Sequence, residues 1–387
     1  MSKVIFSVES VKNPLTGIGR CTLELSRALK DQINDGDLLF CDGSRILETF
    51  TFDDTQKVNT IAASCLATFK GWAKKSRFLS DFYFRQKARR EAGILRGFED
   101  HLFHATNFAC PYFAGRKIVT FYDMSPFLFS DCQEATRVAI LQKTCEDTIR
   151  RADALITISE SAKREIVDYF NYDVNKIFVT PLACSNTFRV RKENEISSNL
   201  TSLGLEYKGY CLFVGTVEPR KNIDFLLRVY ESLPLALRIR IPLVICGHRG
   251  WKSEGLHQKI ENAVHQGWVK YLEYVSQPEL LAIYAGAKVF LFPSRYEGFG
   301  LPILEAMASG VPVISSDTSS LPEVVGNAGI LLSIQQESLW TDKIQEIFED
   351  TSLESSLILR GQVQAKQFSW SRCAKETIKA YQSITGE

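Results

Sequence analysis

The chain has 387 residues, of which 45% are apolar and 24% charged, as expected for a globular protein large enough for two domains. Its net charge of +1 argues against a dedicated nucleic-acid binder, and its ten cysteines contain no C-x2-C pair, which disfavours a structural zinc site and favours a reducing compartment. No apolar run has the length of a membrane span, and Glu9 interrupts the apolar start too early for a signal peptide, so we expect a cytoplasmic protein.

The first predicted elements are a strand over residues 3–8 and an amphipathic helix that begins near Gly17. The sequence T-G-I-G-R precedes this helix, and its glycines, Gly17 and Gly19, allow the backbone to approach a phosphate or an acceptor sugar. Asp42, at the end of the next predicted strand, keeps a nicotinamide oxidoreductase open as an alternative. Thr22 disfavours it, because it replaces the third glycine of the dinucleotide fingerprint.

Asp35, Gly36 and Asp37 form a D-x-D triplet, a spacing that is found in metal sites. The triplet lies in a polar stretch between the first helix and the strand that follows it. Gly and Asp are typical turn residues, so we interpret the triplet as a surface turn and predict no catalytic metal.

Residues 70–96 form a basic segment with interleaved aromatic side chains, in which nine Lys or Arg oppose Asp81 and Glu91. A cationic, aromatic segment can lie on an anionic membrane surface, where lipid-linked acceptors are found. The alternative is a pair of exposed helices whose aromatic side chains belong to the core, because these side chains do not form one clean stripe.

Two more strands are predicted over residues 102–105 and 118–122, each followed by polar residues. Open α/β sheets bind their ligands at the carboxyl ends of the strands. His104, Asn107, Tyr122 and Asp123 are therefore candidate ligand-binding residues.

A further strand over residues 154–159 precedes a helix with Ser159 or Ser161 as its N-cap, and another strand is predicted over 176–180. Residues 181–188 then cross towards a second domain. The polar stretch 189–207 is expected to be a linker or a surface helix.

The second domain begins with an apolar strand over residues 210–214, followed by G-T-V-E-P-R-K-N. Asn222 is the predicted N-cap of the next helix, which places Arg220 and Lys221 at the mouth of that helix. Fixed cations and helix N–H groups stabilise the negative charge that develops on a departing diphosphate. The alternative, ordinary surface charge beside a cap, is less consistent with this pattern.

Residues 287–332 predict a strand, a glycine loop, a short helix and another strand, which is a phosphate-binding type of βαβ unit. Glu297 lies in the loop, and Glu305 follows eight positions later, in the predicted first turn of the helix. Carboxylates accept paired hydrogen bonds from vicinal hydroxyls, so these two side chains fit a sugar and a ribose. The alternative is that Glu305 only interacts with the helix dipole and that Glu297 is a solvated loop residue.

The sequence E-G-F-G-L-P-I-L-E, followed by E-A-M-A-S-G-V-P-V-I, resembles the E-x7-E signature of the retaining glycosyltransferases of family 4, in particular bacterial cell-surface polysaccharide mannosyltransferases. The resemblance is strong over residues 205–375 and patchy over the first 190. It implies the GT-B fold, an α/β architecture of two Rossmann-like domains that face each other across a cleft. It also implies that Glu297 contacts the donor sugar and Glu305 the ribose of the nucleotide.

The same resemblance assigns the remaining site. G-T-V-E-P-R-K-N is similar to the family's diphosphate site, although Thr216 stands where many members carry an arginine. Tyr122 replaces a histidine that contacts the donor sugar in many members. The implied catalytic residues are Glu297, Arg220 and Lys221, and the acceptor-side candidates are His104 and Asn107. The implied donor-binding residues are Gly17, Gly19, Tyr122, Asp123, Gly215, Thr216, Gly298, Phe299, Gly300, Leu301 and Glu305.

The sequence therefore predicts an acceptor-binding domain over residues 1–188, a linker over 189–207, a nucleotide-sugar domain over 208–369, and a helix over 370–387 that returns to the first domain. We expect hexosyl transfer from a nucleoside diphosphate sugar to a glycan or lipid-linked acceptor, without metal or other cofactor. The donor is GDP-mannose or a related GDP-sugar, with UDP-sugars as the alternative. A non-catalytic sugar-nucleotide-binding partner of another transferase is the second hypothesis.

Overall fold

The computed structural model describes residues 3–13, 15–52, 90 and 92–386. Two sheets organise this part of the chain, one built from its first half and one from its second half. Most of the basic segment 70–96 lies outside the described residues, so its expected membrane contact stays a prediction. Across the described ranges, none of the helices combines the length and the apolar character needed to cross a bilayer.

Strands and helices alternate along most of the chain. The strands are β1 (Val4–Ser7), β2 (Leu38–Cys41), β3 (Ile46–Leu47), β4 (Leu102–Ala105), β5 (Lys117–Thr120), β6 (Ala154–Thr157), β7 (Ile177–Val179), β8 (Cys211–Val214), β9 (Leu243–Cys246), β10 (Val269–Leu272), β11 (Val289–Phe292), β12 (Val313–Ser316) and β13 (Ile330–Leu332). The α-helices are α1 (Gly17–Lys30), α2 (Ser125–Leu128), α3 (Ala135–Arg151), α4 (Glu160–Phe170), α5 (Glu193–Ser202), α6 (Ile223–Glu231), α7 (Leu235–Arg240), α8 (Glu254–His265), α9 (Gln277–Gly286), α10 (Leu301–Ala308), α11 (Leu321–Val325), α12 (Glu337–Glu349), α13 (Thr351–Ala365) and α14 (Trp370–Thr385).

The first sheet has seven strands in the order β3-β2-β1-β4-β5-β6-β7. Its neighbours pair in parallel except β2 and β3, which are antiparallel. The direction in which strands are added reverses between β1 and β4, so the loops after these two strands border one crevice. The strands predicted over 3–8, 102–105, 118–122 and 154–159 are confirmed, with small differences at their ends.

The second sheet has six parallel strands in the order β10-β9-β8-β11-β12-β13. Its reversal falls between β8 and β11, so the loops that follow these two strands meet at its ligand-binding edge. Strands β9, β11 and β12 are buried along their whole length, as expected where helices cover both faces of a parallel sheet. This topology brings together segments that lie far apart in the sequence.

The stretch 189–207, expected to be a linker or a surface helix, contains α5. Its apolar residues Ile196 and Leu200 are buried, and the Leu200 side chain lies against Gly286 at the end of α9. The segment that joins the two sheets is therefore packed onto the second one rather than free in solvent.

The last helix, α14, returns to the first sheet, as the sequence predicts. Ser369 is its N-cap and accepts a hydrogen bond from the Arg372 N–H. Cys373, Ala374 and Tyr381 are buried in the same apolar cluster as residues of β1 and α1. The chain therefore crosses the cleft twice, which restrains how far the two sheets can move apart.

Backbone and side-chain hydrogen bonds join the two halves directly at the start of α4. Ser159, one of the two predicted candidates, is the N-cap of this helix, and its hydroxyl also donates to the carbonyl of Gly298 at 2.9 Å. Glu323 accepts from the N–H groups of Glu160 and Ser161 at 2.8 and 2.6 Å. A carboxylate of the second half thus caps a helix of the first half, where the helix dipole favours negative charge.

Two weaker candidates from the sequence lie in turns. Asp35 and Gly36 are exposed in the turn after α1, which confirms the interpretation of the D-x-D triplet as a surface turn. The Asp42 carboxylate accepts from the N–H groups of Ser44 and Arg45 at 2.8 and 3.0 Å. In the described residues, no group of three or more His, Cys, Asp or Glu side chains is arranged to hold a metal ion.

His104 corrects one expectation. It is fully buried, and its Nδ1 and Nε2 atoms share hydrogen bonds with Tyr381 Oη at 2.7 Å and Thr120 Oγ1 at 2.8 Å. Both ring nitrogens are used inside the first domain, and neither is open to an acceptor. The residue instead ties α14 to the first sheet.

Burial lowers the pKa of His104 from 6.5 to about 3, because no charged partner compensates the imidazolium. Between these values the unfolded chain binds one more proton at this residue than the folded protein. We therefore expect the free energy of unfolding to decrease as the pH falls below about 6.5, approaching about 1.4 kcal/mol per pH unit from this residue. Urea titrations of the wild type and His104→Gln measure the effect. The free energy of unfolding should change less steeply with pH in the variant than in the wild type. An equal pH dependence in both proteins would contradict the prediction.

Candidate donor site at the sheet edge

The loops after β8 and β11 form the candidate site. After β8, Pro219–Lys221 forms a short 3-10 helix, which directs its two basic side chains towards the β11 loop. After β11, the loop carries Glu297 and reaches α10 through Gly300, whose φ of 116° lies in the region that glycine adopts most easily. Sheet topology therefore brings the predicted cations and the predicted carboxylate to one place.

Glu297 lies between the two cations, and all three side chains are largely buried. Lys221 Nζ is 2.5 Å from Glu297 Oε1, and Arg220 Nη1 is 3.2 Å from Glu297 Oε2. The Arg220 guanidinium also donates to the Tyr296 carbonyl and to Glu218 Oε1, both at 2.6 Å. We call these four charged residues, Glu218, Arg220, Lys221 and Glu297, the ion cluster.

The charges of the ion cluster keep one another ionised. Burial opposes ionisation of the Glu297 carboxyl, but Lys221 and Arg220 outweigh burial and hold its pKa below the usual range. Burial lowers the pKa of Lys221 and is only partly offset by Glu297. Burial acts in the same direction on Arg220, whose pKa is nevertheless raised by Glu297 and Glu218. With two acids and two bases, the cluster has no net charge.

Glu218 and two serines are site residues that the sequence did not single out. Glu218 belongs to the quoted G-T-V-E-P-R-K-N stretch, two positions before the arginine that it binds. Ser319 Oγ accepts from the Glu297 N–H at 2.9 Å, and Ser320 Oγ donates to the Glu297 carbonyl at 2.8 Å. These serines follow β12, so only the fold brings them to the Glu297 loop.

Asn222 occupies the predicted N-cap position of α6, but the expected side-chain cap is absent. Its backbone is left-handed with a φ of 59°, and its side-chain amide donates to the Pro293 carbonyl at 3.1 Å. Asn222 thus links the two loops of the candidate site. This bond uses the amide nitrogen as a donor, whereas a helix cap would use the amide oxygen as an acceptor.

Glu305 lies deeper than the sequence predicts. It is the fifth residue of α10, not in its first turn, and its Oε2 accepts from the Tyr284 hydroxyl at 2.7 Å. Burial raises the pKa of Glu305, and the Tyr284 hydrogen bond and the Arg20 charge offset this only in part. Glu305 is therefore not a simple helix-dipole partner. It lies beyond the first turn, where the dipole acts, and its hydrogen-bonding neighbour in the second domain is the Tyr284 hydroxyl.

Gly298 packs directly onto the end of β5. A Cβ atom added to it would lie 2.7 Å from the Tyr122 carbonyl oxygen and 2.9 Å from Asp123 Cβ. Asp123 accepts from the Ser125 N–H at 2.8 Å, whereas the Tyr122 side chain is buried beside Phe108. Tyr122 and Asp123 thus meet the glycine loop, and the closeness of approach requires glycine at position 298.

The remaining predicted residues are spread around the cleft. Gly17 and Gly19 form the first turn of α1, where the Gly19 N–H donates to Thr16 Oγ1 at 3.1 Å. Arg20, in the same turn, reaches across to Gln277 Oε1 at 3.3 Å. The other predicted residues differ in burial. Gly215 and Leu301 are half-buried, and Thr216 and Asn107 are exposed. Phe299 is buried, with its ring edge-on to Phe368.

Comparison with known proteins gives a consistent result. Residues 201–364 match the family described as "Glycosyl transferases group 1". The chain is 37% identical over 382 residues to O-antigen chain mannosyltransferase B of Escherichia coli, covering 99% of this chain and all of the relative. It is 29% identical over 240 residues to the serotype-specific mannosyltransferase WbdA of Escherichia coli, a match that covers 60% of this chain and 29% of WbdA.

Solved structures match along almost the whole chain. WaaG, a glycosyltransferase involved in lipopolysaccharide biosynthesis, superposes with a TM-score of 0.69 at 12% identity over 99% of this chain and 100% of its own. Anabaena Alr3699/HepE in complex with UDP-glucose gives a TM-score of 0.72 at 15% identity and covers both chains completely. These similarities show the two-domain GT-B fold.

The ion cluster predicts how Glu297→Gln changes the ligand-free protein. Removing this charge leaves two buried cations with one carboxylate, so we expect the free energy of unfolding to fall by roughly 3 kcal/mol. Inorganic pyrophosphate should restore more stability to the variant than it adds to the wild type, because the released cations can bind it. Thermal unfolding with and without pyrophosphate measures both effects. Glu305→Gln is the matched control, and an equal pyrophosphate response in both variants would contradict the prediction.

Proposed function

Because this chain belongs to the group 1 glycosyl transferases, we propose that it is a mannosyltransferase that acts in the synthesis of a cell-surface polysaccharide. The proposed reaction moves a mannosyl group from GDP-mannose to a hydroxyl of a glycan or lipid-linked acceptor. The full-length similarity to an O-antigen chain mannosyltransferase supports the sugar and the pathway class. The observation that carries the reaction type is the neutral, buried ion cluster at the switch point of the second sheet.

In this proposal, the donor diphosphate exchanges partners within the ion cluster. Arg220 and Lys221 bind the phosphate oxygens and stabilise the charge that develops on the departing diphosphate. Glu297, freed from its ion pairs, then accepts hydrogen bonds from hydroxyls of the donor sugar. Glu305 accepts from the ribose hydroxyls, for which it has acceptor capacity beyond its bond to Tyr284.

We propose that the anomeric configuration is retained by a front-face route. The bond between the anomeric carbon and the phosphate oxygen breaks, and the acceptor oxygen bonds the same face of that carbon. The acceptor proton goes to the departing phosphate. No covalent nucleophile is assigned in this proposal, because Glu297 is engaged by the hydroxyls of the donor sugar.

The proposed reaction does not require a metal ion, because Arg220 and Lys221 supply the positive charge that a metal would otherwise supply to the diphosphate. UDP-sugars remain the second donor class, since the similar HepE structures contain UDP and UDP-glucose. The comparisons give no support to a non-catalytic partner. We further propose that residues 70–96 bring the enzyme to the inner face of the membrane, where a lipid-linked acceptor would be found.

A panel of nucleotide sugars tests the donor. A ligand that binds the native state alone raises the free energy of unfolding by about 2.7 kcal/mol at 100 times its Kd. We expect GDP-mannose to raise the melting temperature more than UDP-glucose or ADP-glucose, in EDTA and without added metal. A larger rise in melting temperature with UDP-glucose would indicate that the donor nucleotide carries uracil rather than guanine. If a donor raises the melting temperature only when Mg²⁺ is added, the metal-free proposal is contradicted.

Replacing both cations tests the assignment of the catalytic charge. Arg220→Ala with Lys221→Ala should lower kcat by at least about a hundredfold, because preorganised charge at a leaving group contributes on this scale. Lys221→Arg, which preserves the charge, should retain part of the activity and guards against loss of folding as the cause. Arg295→Ala is the control, since Arg295 is an exposed cation of the neighbouring loop after β11. Full turnover by the double variant would exclude the proposed role.

A further inference from the structure

Tyr296 connects the two domains at the residue that precedes Glu297. Its hydroxyl donates to Glu165 Oε2 at 2.6 Å and accepts from the Met124 N–H at 2.8 Å, and both partners belong to the first domain. The Tyr296 ring also stacks on Phe129, with 4.9 Å between ring centroids and an interplanar angle of 28°. The side chain is only 3% exposed, although it belongs to a loop at the rim of the second sheet.

The main chain of the same residue contacts the ion cluster. The Tyr296 carbonyl accepts from Arg220 Nη1 at 2.6 Å, and this nitrogen also lies 3.2 Å from Glu297 Oε2. Tyr296 therefore binds the first domain with its side chain and the catalytic cation with its backbone. Anchoring of the Tyr296 side chain in the first domain therefore helps to fix the carbonyl that Arg220 binds.

Among the described residues, the other polar contacts that cross the cleft near Tyr296 do not reach the cations. Ser159 binds the Gly298 carbonyl, and Glu323 binds the N–H groups at the start of α4. These contacts hold the two domains together around the loop. Tyr296 differs from them, because it contacts both the first domain and Arg220. The Tyr296 hydroxyl keeps its two protein partners, Glu165 and the Met124 N–H, only when the first domain is docked.

We propose that Tyr296 is a positioning residue that transmits docking of the acceptor domain to Arg220 and Glu297. The inference rests on the proposed function, because it assigns Tyr296 a role in the same donor site. With the domains apart, the donor can bind the second domain, but Arg220 and Glu297 lack the support that fixes their geometry. With the domains docked, the cluster is held for transfer. Such coupling limits donor hydrolysis in the absence of an acceptor.

Tyr296→Phe removes the hydroxyl and keeps the ring stacked on Phe129. Tyr210→Phe is the matched control, because it deletes another buried hydroxyl of the second domain, which donates to the Ile283 carbonyl at 2.6 Å. We expect Tyr296→Phe to lower kcat at saturating donor and acceptor by about tenfold, which is the scale of losing a charged hydrogen bond, with the Kd for GDP-mannose changed by less than about twofold. Tyr210→Phe should leave kcat unchanged.

A double-mutant cycle with Glu165→Ala tests the coupling itself. If the hydroxyl acts through Glu165, the double variant should lose no more activity than the stronger single variant. Additive losses would overturn the inference. A Tyr296→Phe kcat equal to that of Tyr210→Phe would also overturn it, as would a donor Kd that rises in parallel with the loss of kcat.

Small-angle scattering of the ligand-free protein gives a result that is independent of the donor. Tyr296→Phe should increase the radius of gyration relative to the wild type and Tyr210→Phe, because the docked state loses two hydrogen bonds. An unchanged radius would contradict the inference even if the mannosyltransferase proposal is correct. An absence of GDP-mannose turnover in the wild type would count against the proposed function, while the scattering comparison would still test the role of Tyr296.

Discussion

The Glu297 carboxylate holds two buried cations at the junction of two loops, and the geometry of the candidate donor site depends on this interaction. Removing an ion from water costs several kcal/mol unless a partner of opposite charge lies close by, so the loops after β8 and β11 cannot separate without a substitute for the missing charge. A diphosphate is such a substitute. The same ion pairs that stabilise the ligand-free protein therefore define the chemistry of the ligand that can replace them.

The parallel topology makes this junction possible. Arg220 and Lys221 follow β8 and Glu297 follows β11, and these neighbouring strands lie on either side of the reversal in strand order. The carboxyl ends of both strands open onto one crevice, so the three side chains meet although about 76 residues separate Lys221 from Glu297 in the sequence. Gly298 then permits the first domain to approach the loop, since any larger residue would collide with the end of β5.

The expectations that failed share a physical cause. The polar side chains of His104 and Asn222 find buried partners in other segments, namely Tyr381 and the Pro293 carbonyl. Local sequence indicates a residue at a strand end or at a helix start, but it contains no information about the donor or acceptor that arrives from elsewhere. Glu305 also has a partner from another segment, because α10 packs against α9 and brings Glu305 to the Tyr284 hydroxyl.

The sequence by itself determined the two-domain α/β architecture, most strands of both sheets, the returning helix and the glycosyltransferase family. These follow from apolar runs, glycine and cap positions and the E-x7-E spacing, which are local patterns governed by backbone and solvation preferences. Only the tertiary structure decided that Glu297 neutralises Arg220 and Lys221, that Glu218, Ser319 and Ser320 support them, and that Tyr296 bonds to the other domain. Hydrogen bonds and ion pairs between distant segments depend on distances of a few ångströms, which the fold sets and a local pattern does not encode.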